Sequence, residues 1–297
     1  MYRLFFFSFI LFFLVLLGGC VPTGQQSDLT RVQSERPPQR IIITLPSVVE
    51  VFFDIGLGER IVAVSSYTKY PPETEHIEKI GGHLDIDREK IISLKPDLII
   101  LPVENRQLRQ SISIPVLTVE HNTLTGVLDS YLIIGGLFGA DVLATAQKKR
   151  QELSERLNKL EAKTQGRKPI RTLICIDRSR GTGRIQNLFV AGADSFLTEV
   201  VAKSGGENAA AVLGLAAPQL SVEGIIHLAP DVIIDIQVDG SDRAQSISDW
   251  QSLANSVPAV RNNRILVLTD DFASIPGPRT PKLIEKITQY FESLELE

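Results

Sequence analysis

The sequence is poor in histidine, with four in 297 residues, and the four show no paired spacing. Bare-metal sites need several converging histidine and carboxylate ligands, so we do not expect capture of free zinc or manganese. A basic excess is also lacking, because 31 lysines and arginines stand against 35 acidic residues and the formal net charge is -4. That balance argues against a nucleic-acid-binding surface.

Signatures of the common phosphate-binding and nucleophilic enzymes are absent too. The chain contains no Gly-x-x-x-x-Gly-Lys-Ser/Thr, no Gly-x-Ser-x-Gly and no strand-borne Gly-x-Gly-x-x-Gly. Gly181-Thr-Gly183 alone is a weak signal. We therefore expect neither an enzyme nor a bound cofactor; an acid/base site built from scattered carboxylates remains the alternative, which turnover of candidate ligands would reveal.

A single long apolar run lies at the N-terminus, from Leu4 to Leu17, and is followed by Gly18-Gly19-Cys20. Its length suits a signal peptide better than a membrane span, so residues 1–20 are predicted to be a secretory signal. Leu17-Gly-Gly-Cys20 also resembles the lipobox of bacterial lipoproteins, which implies lipidation of Cys20. The alternative is a membrane-anchor helix with an incidental cysteine.

Only two cysteines are present, and the second, Cys175, lies in an apolar run. With Cys20 lipidated, no intramolecular disulfide can form, and Cys175 is interpreted as a buried strand thiol. Residues 21–39 are rich in polar residues and proline, which predicts a disordered tether. The sequence thus indicates an exported lipoprotein that faces the periplasm or the cell exterior.

From residue 40 onwards, short β-branched runs alternate with helical stretches, as is typical of doubly wound parallel sheets. The strand candidates are residues 41–44, 61–64, 98–101 and 116–119, and then 173–176, 232–236 and 265–268. Residues 140–165 lack proline and glycine and predict one amphipathic helix about 39 Å long. We predict an N-terminal lobe over 40–123, a helical linker with this backbone helix over 124–168, and a C-terminal lobe over 169–297.

The two lobes repeat one plan at the level of residues. Residues 89–100 and 223–234 share Glu, Ile, Ile, Leu, Pro, Asp, Ile and Ile in register. A weaker echo pairs residues 47–58 with 195–206, each read as a serine N-cap, a helix and a glycine stop. The repeat places Glu89 and Glu223 in the first turns of matching helices.

Several short segments together carry a family resemblance over about residues 40–290. They are Leu45-Pro-Ser-Val-Val-Glu50, Gly56-Leu-Gly58, residues 64–72, Gly81-Gly82, Leu94-Lys-Pro-Asp97, Ala191-Gly192, residues 205–208, residues 218–223 and Pro276-Gly-Pro-Arg279. Their order and spacing resemble the helical-backbone class of periplasmic substrate-binding proteins, whose members capture cobalamin, haem or ferric siderophores for ABC importers. The resemblance implies an α/β fold in which two Rossmann-like lobes with central parallel sheets are joined by a single long rigid α-helix.

The same resemblance implies the partners. A small-molecule ligand would be captured between the lobes by a monomer and delivered to an ABC importer, formed by a permease dimer and its ATPase subunits. Glu89 and Glu223 would dock onto arginines of the two-fold permease. Two acids related by pseudo-symmetry independently suit a symmetric partner, and helix-dipole stabilisation is an additional role for both.

Candidate ligand-binding residues follow the predicted strands, because ligands of open α/β sheets lie beyond the carboxyl ends of the strands. They are Pro46, Ser47, Tyr67, Tyr70, Arg178, Phe272 and Arg279, with His83 where related proteins often place an aromatic residue. Of these, Tyr67, His83 and Arg178 are favoured. Packing of Tyr70 against a turn and of Phe272 in the core are the alternatives.

The nature of the ligand stays open between three classes. Cobalamin-binding members tend to carry a tryptophan where this chain has Ala217, and the only tryptophan, Trp250, falls in a helix. Arg178, Arg180 and Arg184 favour an anionic ferric siderophore, unless they form only a solvated basic loop. Haem ligated by Tyr67 or His83 is a third option, and a non-transport lipoprotein is the remaining alternative.

Overall fold

A computed structural model describes residues 36–82, 85–238, 240 and 242–294. Cys20, the predicted signal and most of the predicted tether lie outside the described residues.

Five strands form the N-terminal sheet: β1 Ile41–Ile43, β2 Ile61–Val64, β3 Glu78–Lys79, β4 Leu98–Pro102 and β5 Val116–Val119. They are ordered β3-β2-β1-β4-β5 and every pairing is parallel. Helices α1 (Pro46–Asp54), α2 (Arg88–Ser93) and α3 (Arg106–Ser111) connect them.

Two helices join the lobes, α4 (Leu124–Gly136) and α5 (Ala140–Thr164). The second is the backbone helix predicted from the sequence. Its buried face, which includes Leu153, Leu157 and Leu160, recurs every three or four residues, as expected of an amphipathic helix. The two helices approach closely, since a Cβ placed on Gly135 would stand 2.6 Å from the Cβ of Ala146.

The C-terminal lobe contains six strands: β6 Ile170–Asp177, β7 Leu188–Val190, β8 Gly206–Asn208, β9 Gln219–Leu220, β10 Val232–Ile236 and β11 Ile265–Leu268. The order is β11-β10-β6-β7-β9, and β8 also pairs with β6. Five helices complete it: α6 Phe196–Lys203, α7 Val222–Leu228, α8 Arg243–Gln251, α9 Pro258–Arg261 and α10 Thr280–Leu294. The two-lobe α/β prediction is confirmed.

This second sheet is not wholly parallel, which corrects one detail of the prediction. Strand β7 runs antiparallel to both β6 and β9. The physical reason is the connection between β6 and β7, which is a loop over residues 178–187 with no helix to carry the chain back. A parallel pair would require a longer crossover.

The repeat seen in the sequence extends to the backbone. Both repeated helices, α2 and α7, are followed within two residues by one with positive φ, Lys95 at 47° and Ala229 at 43°. In each lobe an arginine at the start of the central strand donates from Nε to a carbonyl at the end of the repeated helix, Arg40 to Leu94 at 3.2 Å and Arg171 to Leu228 at 2.8 Å. The two halves therefore share local hydrogen bonds as well as residue types.

The weaker echo in the sequence is confirmed in both halves for the helix and the glycine that follows it, since Gly56 and Gly205 have positive φ, but the serine N-cap is confirmed in only one. Ser195 is the N-cap of α6 and accepts a hydrogen bond from the backbone N–H of Leu197. Ser47 is not an N-cap, because α1 already begins at Pro46 and Leu45 precedes it. Proline is favoured at the first helical position, since its φ is preset and its missing N–H has no partner there anyway.

Helices α1 and α6, the pair of the weaker echo, each hold the C-terminal lobe to another part of the molecule. Glu50 of α1 reaches Arg279 of the C-terminal lobe, with Oε1 2.6 Å from Nη2. Glu199 of α6 accepts a hydrogen bond of 3.0 Å from the backbone N–H of Leu124, where α4 begins. Side chains of both lobes and of α5 also share one hydrophobic cluster. These contacts and the backbone helix fix how the lobes face each other.

Candidate functional site

A cavity of about 660 Å³ lies between the lobes. It opens where the strands of both sheets end, as expected for an open α/β sheet. Its walls are formed mainly by the N-terminal lobe, with Val238, Asp271 and residues 274–276 from the C-terminal lobe. The lining residues are Thr44, Leu45, Pro46, Ser47, Ser65, Tyr67, Lys69, Gly82, Ile86, Pro102, Glu104, His121, Asn122, Val238, Asp271, Ser274, Ile275 and Pro276.

Three of the predicted ligand contacts line this cavity, namely Pro46, Ser47 and Tyr67. Tyr67 projects furthest, with 63% of its surface exposed. Its backbone N–H donates to the hydroxyl of Ser65, which closes the turn after β2 at 3.1 Å. The turn therefore presents the phenol ring at the rim. His83, a fourth candidate, lies outside the described residues, next to the lining residue Gly82.

His121, which sequence reasoning missed, is buried in the wall of the cavity directly after β5. Its Nδ1 lies 2.8 Å from the hydroxyl oxygen of Ser47, and its Nε2 has no hydrogen-bond partner among the described residues. Burial lowers the pKa of His121 to about 4, against a smaller opposing effect of the Pro276 carbonyl. The ring is therefore neutral near pH 7, and the Ser47–His121 pair is an uncharged hydrogen-bonding group.

Acidification should lower the free energy of unfolding, and part of that loss should come from the buried His121. The folded pKa is about 4 and lies below the ordinary value of 6.5, so the stability contribution is complete above pH 6.5 and is lost as pH falls towards 4. The size of that loss is about 3 kcal/mol. Denaturant unfolding at pH 7 and pH 4.5 should show a smaller acid loss for His121→Gln than for wild type. Equal losses in the two proteins would contradict the assignment.

The polar groups of the cavity are mostly uncharged or already paired. Asn122 donates to Glu104 at 2.7 Å, and Asp271 accepts from Arg279 at 2.8 Å. Lys69 is the lining cation among the described residues, and it is exposed. A ligand would thus meet apolar walls with hydroxyl, amide and imidazole groups rather than a strongly charged surface.

Arg279, Tyr70 and Phe272 come together beside the cavity without lining it. The guanidinium carbon of Arg279 lies 4.0 Å from the ring centre of Tyr70 and 5.6 Å from that of Phe272. The same guanidinium binds Glu50 and Asp271. Burial raises the pKa of Glu50, although Arg279 acts in the opposite direction. These residues, predicted as ligand contacts, therefore form an interlobe cluster that supports the cavity from behind.

Arg178 is also placed away from the cavity. Its side chain is 0% exposed and donates to two buried carboxylates, to Asp235 at 3.0 Å and to Asp249 at 2.8 Å. Ser246 and Trp250 donate to the same oxygen of Asp235. Arg178 was predicted to bind an anionic ligand, but its guanidinium is buried and its hydrogen bonds are made within the lobe.

The Gly181-Thr-Gly183 segment has a structural explanation in the same network. The backbone N–H groups of Gly181 and Gly183 each donate to the carboxylate of Asp249 at 2.9 Å. Both glycines have positive φ, 67° and 69°, a conformation that residues with a Cβ rarely adopt. The loop thus wraps a carboxylate of the protein itself rather than a ligand phosphate. Arg178 and these two N–H groups outweigh burial and hold the pKa of Asp249 below its usual range.

Glu89 and Glu223 are both exposed in the first turns of α2 and α7, as the repeat predicted. Asp87 and Ser221 cap the two helices by accepting from the backbone N–H of Lys90 and Gly224. The backbone N–H of Glu223 and the hydroxyl of Ser221 lower the pKa of Glu223.

The remaining sequence predictions concern the thiol of Cys175, membrane-spanning helices and metal sites. Cys175 is buried, and burial raises its pKa well above the usual value, so it is protonated. Within the described ranges, no helix is both long and apolar enough to cross a membrane. The same ranges contain no group of three or more histidine, cysteine or acidic side chains arranged to hold a metal ion.

A family profile, curated relatives and solved structures all relate this chain to substrate-binding proteins. The profile of the family described as "Periplasmic binding protein" matches residues 41–272. A vitamin B12-binding protein of Vibrio parahaemolyticus is 27% identical over 91% of this chain and 94% of its own length. The uncharacterized ABC transporter substrate-binding lipoprotein YvrC of Bacillus subtilis is 26% identical over 94% of this chain and 93% of its own. The apo form of the periplasmic heme-binding protein RhuT from Roseiflexus sp. RS-1 superposes with a TM-score of 0.71, 26% identity, and coverage of 86% and 98%.

Proposed function

This chain belongs to the periplasmic binding protein family, and from that premise we propose that it captures a cobalamin-type ligand between its lobes and delivers it to an ABC importer. The observation that carries the proposal is the cavity of about 660 Å³ at the strand ends of both sheets. A ligand held there touches both lobes, so binding can stabilise one arrangement of the lobes for a partner to recognise.

The chemistry of the cavity supports a corrinoid over an anionic iron chelate. Of the three arginines expected to bind such a chelate, Arg178 is engaged in buried ion pairs, and neither Arg180 nor Arg184 lines the cavity. Besides the exposed Lys69, what remains is the neutral Ser47–His121 pair, further hydroxyl groups and apolar walls. These groups suit a large ligand that carries many neutral amides, as cobalamin does, because buried amides need hydrogen-bond partners. The B12-binding relative supports the same class.

Thermal unfolding against a panel of ligands tests the class directly. Cyanocobalamin at 100 times its dissociation constant should stabilise the protein by about 2.7 kcal/mol, a rise in Tm of roughly 5–10 °C. Haem, a ferric hydroxamate and a ferric catecholate are the comparison ligands. A shift confined to one of the iron chelates would replace the corrinoid proposal with that class.

Haem is the second candidate because Tyr67 stands exposed on the rim of the cavity, where its phenol could reach an iron centre. The structural similarity to a heme-binding protein supports it. Absorption spectra of wild type and Tyr67→Phe with haem distinguish the two candidates. A wild-type spectrum typical of tyrosinate ligation that is lost in the variant would favour haem.

We propose the same delivery route as the family, in which binding proteins work with ABC importer permeases. A lipid on Cys20 would keep the protein at the membrane, and ligand capture by a monomer suffices for delivery to the permease dimer and its ATPase subunits. Incorporation of labelled palmitate into wild type but not Cys20→Ser tests the anchor. If neither protein incorporates the label, Cys20 is not lipidated and the anchor proposal is wrong.

Charge reversal at the two repeated glutamates should separate delivery from capture. The double variant Glu89→Arg with Glu223→Arg should abolish ligand uptake by cells, because both acids face outwards at the strand-end edge of their lobes. Ligand affinity should be unchanged, since neither residue lines the cavity. Glu59→Arg with Glu155→Arg, also exposed, is the matched control and should transport normally. Weakened ligand binding in the Glu89/Glu223 variant would count against a docking role.

A further inference from the structure

Two exposed isoleucines occupy equivalent positions in the two lobes. Ile92 in α2 is 65% exposed, and Ile226 in α7 is 39% exposed. Each follows the exposed glutamate of its helix, Glu89 or Glu223, by three residues. Residues three apart project from the same side of a helix. Each lobe therefore presents the same pair of side chains, an acid and a large apolar group.

Packing of the lobes does not account for these two side chains. The preceding isoleucine of each helix, Ile91 or Ile225, is 0% exposed and fills the core. The next helix position therefore faces outwards, where a polar residue would be expected on a solvated surface. Exposure of the same large aliphatic residue in both halves of the repeat is not what independent surface positions would produce.

Both helices begin at the edge of the lobes that faces the cleft, so the glutamates lie at this edge and the isoleucines about one helical turn from it. The helices precede the parallel strands β4 and β10, so they run against the strands and begin at the edge where the strands end. In the N-terminal lobe this is seen directly, because Ile86, two residues before α2, lines the cavity. A partner that spans the mouth of the cleft can reach both pairs together.

We infer that Ile92 and Ile226 form the apolar half of the surface that docks on the importer, each inserting into one of two equivalent pockets of the permease dimer. This inference rests on the proposed function. The occupant is a two-fold partner because two copies of one motif, related by pseudo-symmetry, match two copies of one pocket. Each pocket would offer a basic group to the glutamate and an apolar depression one helical turn away.

The two kinds of side chain act on different rates. Exposed charges steer the encounter and make association dependent on salt, whereas burial of an aliphatic side chain mainly slows dissociation. Removal of each isoleucine side chain should raise koff about tenfold. The two sites lie on different lobes, so the double change should approach a hundredfold.

The test measures kon and koff for binding of the wild-type protein and its variants to the permease–ATPase complex of a vitamin B12-type importer from the source organism. The complex is held in lipid nanodiscs, and the rates are measured at two salt concentrations. The variants are Ile92→Ser, Ile226→Ser and the double change. Ile92→Val with Ile226→Val is the matched control that keeps the surface apolar, and Glu89→Gln with Glu223→Gln provides the electrostatic reference. Thermal unfolding of the free proteins checks that α2 and α7 are intact.

We expect the serine variants to dissociate faster, with an unchanged salt dependence of kon. The glutamine variant should instead show a weaker salt dependence of kon with an unchanged koff. The valine control should keep near wild-type rates. A double serine variant that dissociates at the wild-type rate overturns the inference and leaves the proposed function standing. Failure of the wild-type protein to dock overturns both. A change in oligomeric state of the free protein on serine substitution would show instead that the isoleucines serve self-association, and would also overturn the inference.

Discussion

Arg178→Met should be among the most destabilising single substitutions in this protein. It removes a guanidinium that contacts both Asp235 and Asp249, whose side chains are 1% and 0% exposed. Two carboxylates would remain in the interior without their cation, and breaking a buried ion pair in this way costs about 3–5 kcal/mol. For a chain of this size the Tm should fall by roughly 10 °C or more.

Arg184→Met is the matched control for that experiment. Arg184 lies in the same loop after β6, but it is exposed. Its replacement should change the unfolding free energy by no more than about 0.5 kcal/mol. Denaturant unfolding of both variants at pH 7 provides the comparison. Similar stabilities for Arg178→Met and wild type would mean that the buried network does not hold the loop in place.

The second large effect is expected at the ion pair between the lobes. Glu50 and Arg279 are 4% and 7% exposed, and Oε1 of Glu50 accepts from both Nε and Nη2 of Arg279. Arg279→Met should destabilise the protein by about 3 kcal/mol at pH 7, because Glu50 would stay buried without its cation. The double variant Glu50→Gln with Arg279→Met should recover part of this loss. Together with the loss measured for Glu50→Gln alone, these values give the coupling energy of the pair.

The pH dependence of the Arg279→Met variant gives an independent check. Burial raises the pKa of Glu50 even in the wild type, and loss of Arg279 should raise it further. A carboxyl whose folded pKa is raised contributes stability below its unfolded pKa and loses it as pH rises through the folded value. The deficit of the variant relative to wild type should therefore be larger at pH 8 than at pH 5. A deficit independent of pH would show that lost packing on Tyr70 and Phe272, not the charge of Glu50, causes it.

Much of the fold could be predicted from the sequence because its elements are signalled locally. Strands β2, β5, β10 and β11 begin and end at the predicted residues, and α5 ends one residue earlier than predicted. The repeated helices were recognisable because burial, capping and the Pro-Asp break all recur at a fixed spacing. Strand β7 was not among the predicted strands, and its antiparallel direction depends on the connection from β6 and not on its own residues.

The site was less predictable because its chemistry depends on pairs distant in the sequence. Arg178 was expected at the ligand, but its partners Asp235 and Asp249 lie 57 and 71 residues away. Likewise, nothing near Arg279 in the sequence pointed to Glu50. His121 follows a predicted strand directly, so the strand-end rule that selected Ser47 and Tyr67 could also have selected it.

Calorimetric titration of cyanocobalamin into residues 20–297 with Cys20→Ser tests capture between the lobes most directly. Ser274→Trp serves as the blocking variant, because Ser274 is exposed and lines the cavity, and Ser293→Trp, an exposed serine on α10, is its control. We expect one cyanocobalamin per chain for the parent and for Ser293→Trp, with affinity at least about tenfold weaker for Ser274→Trp. Absence of binding, or binding that Ser274→Trp leaves unchanged, would contradict capture of a cobalamin-type ligand between the lobes.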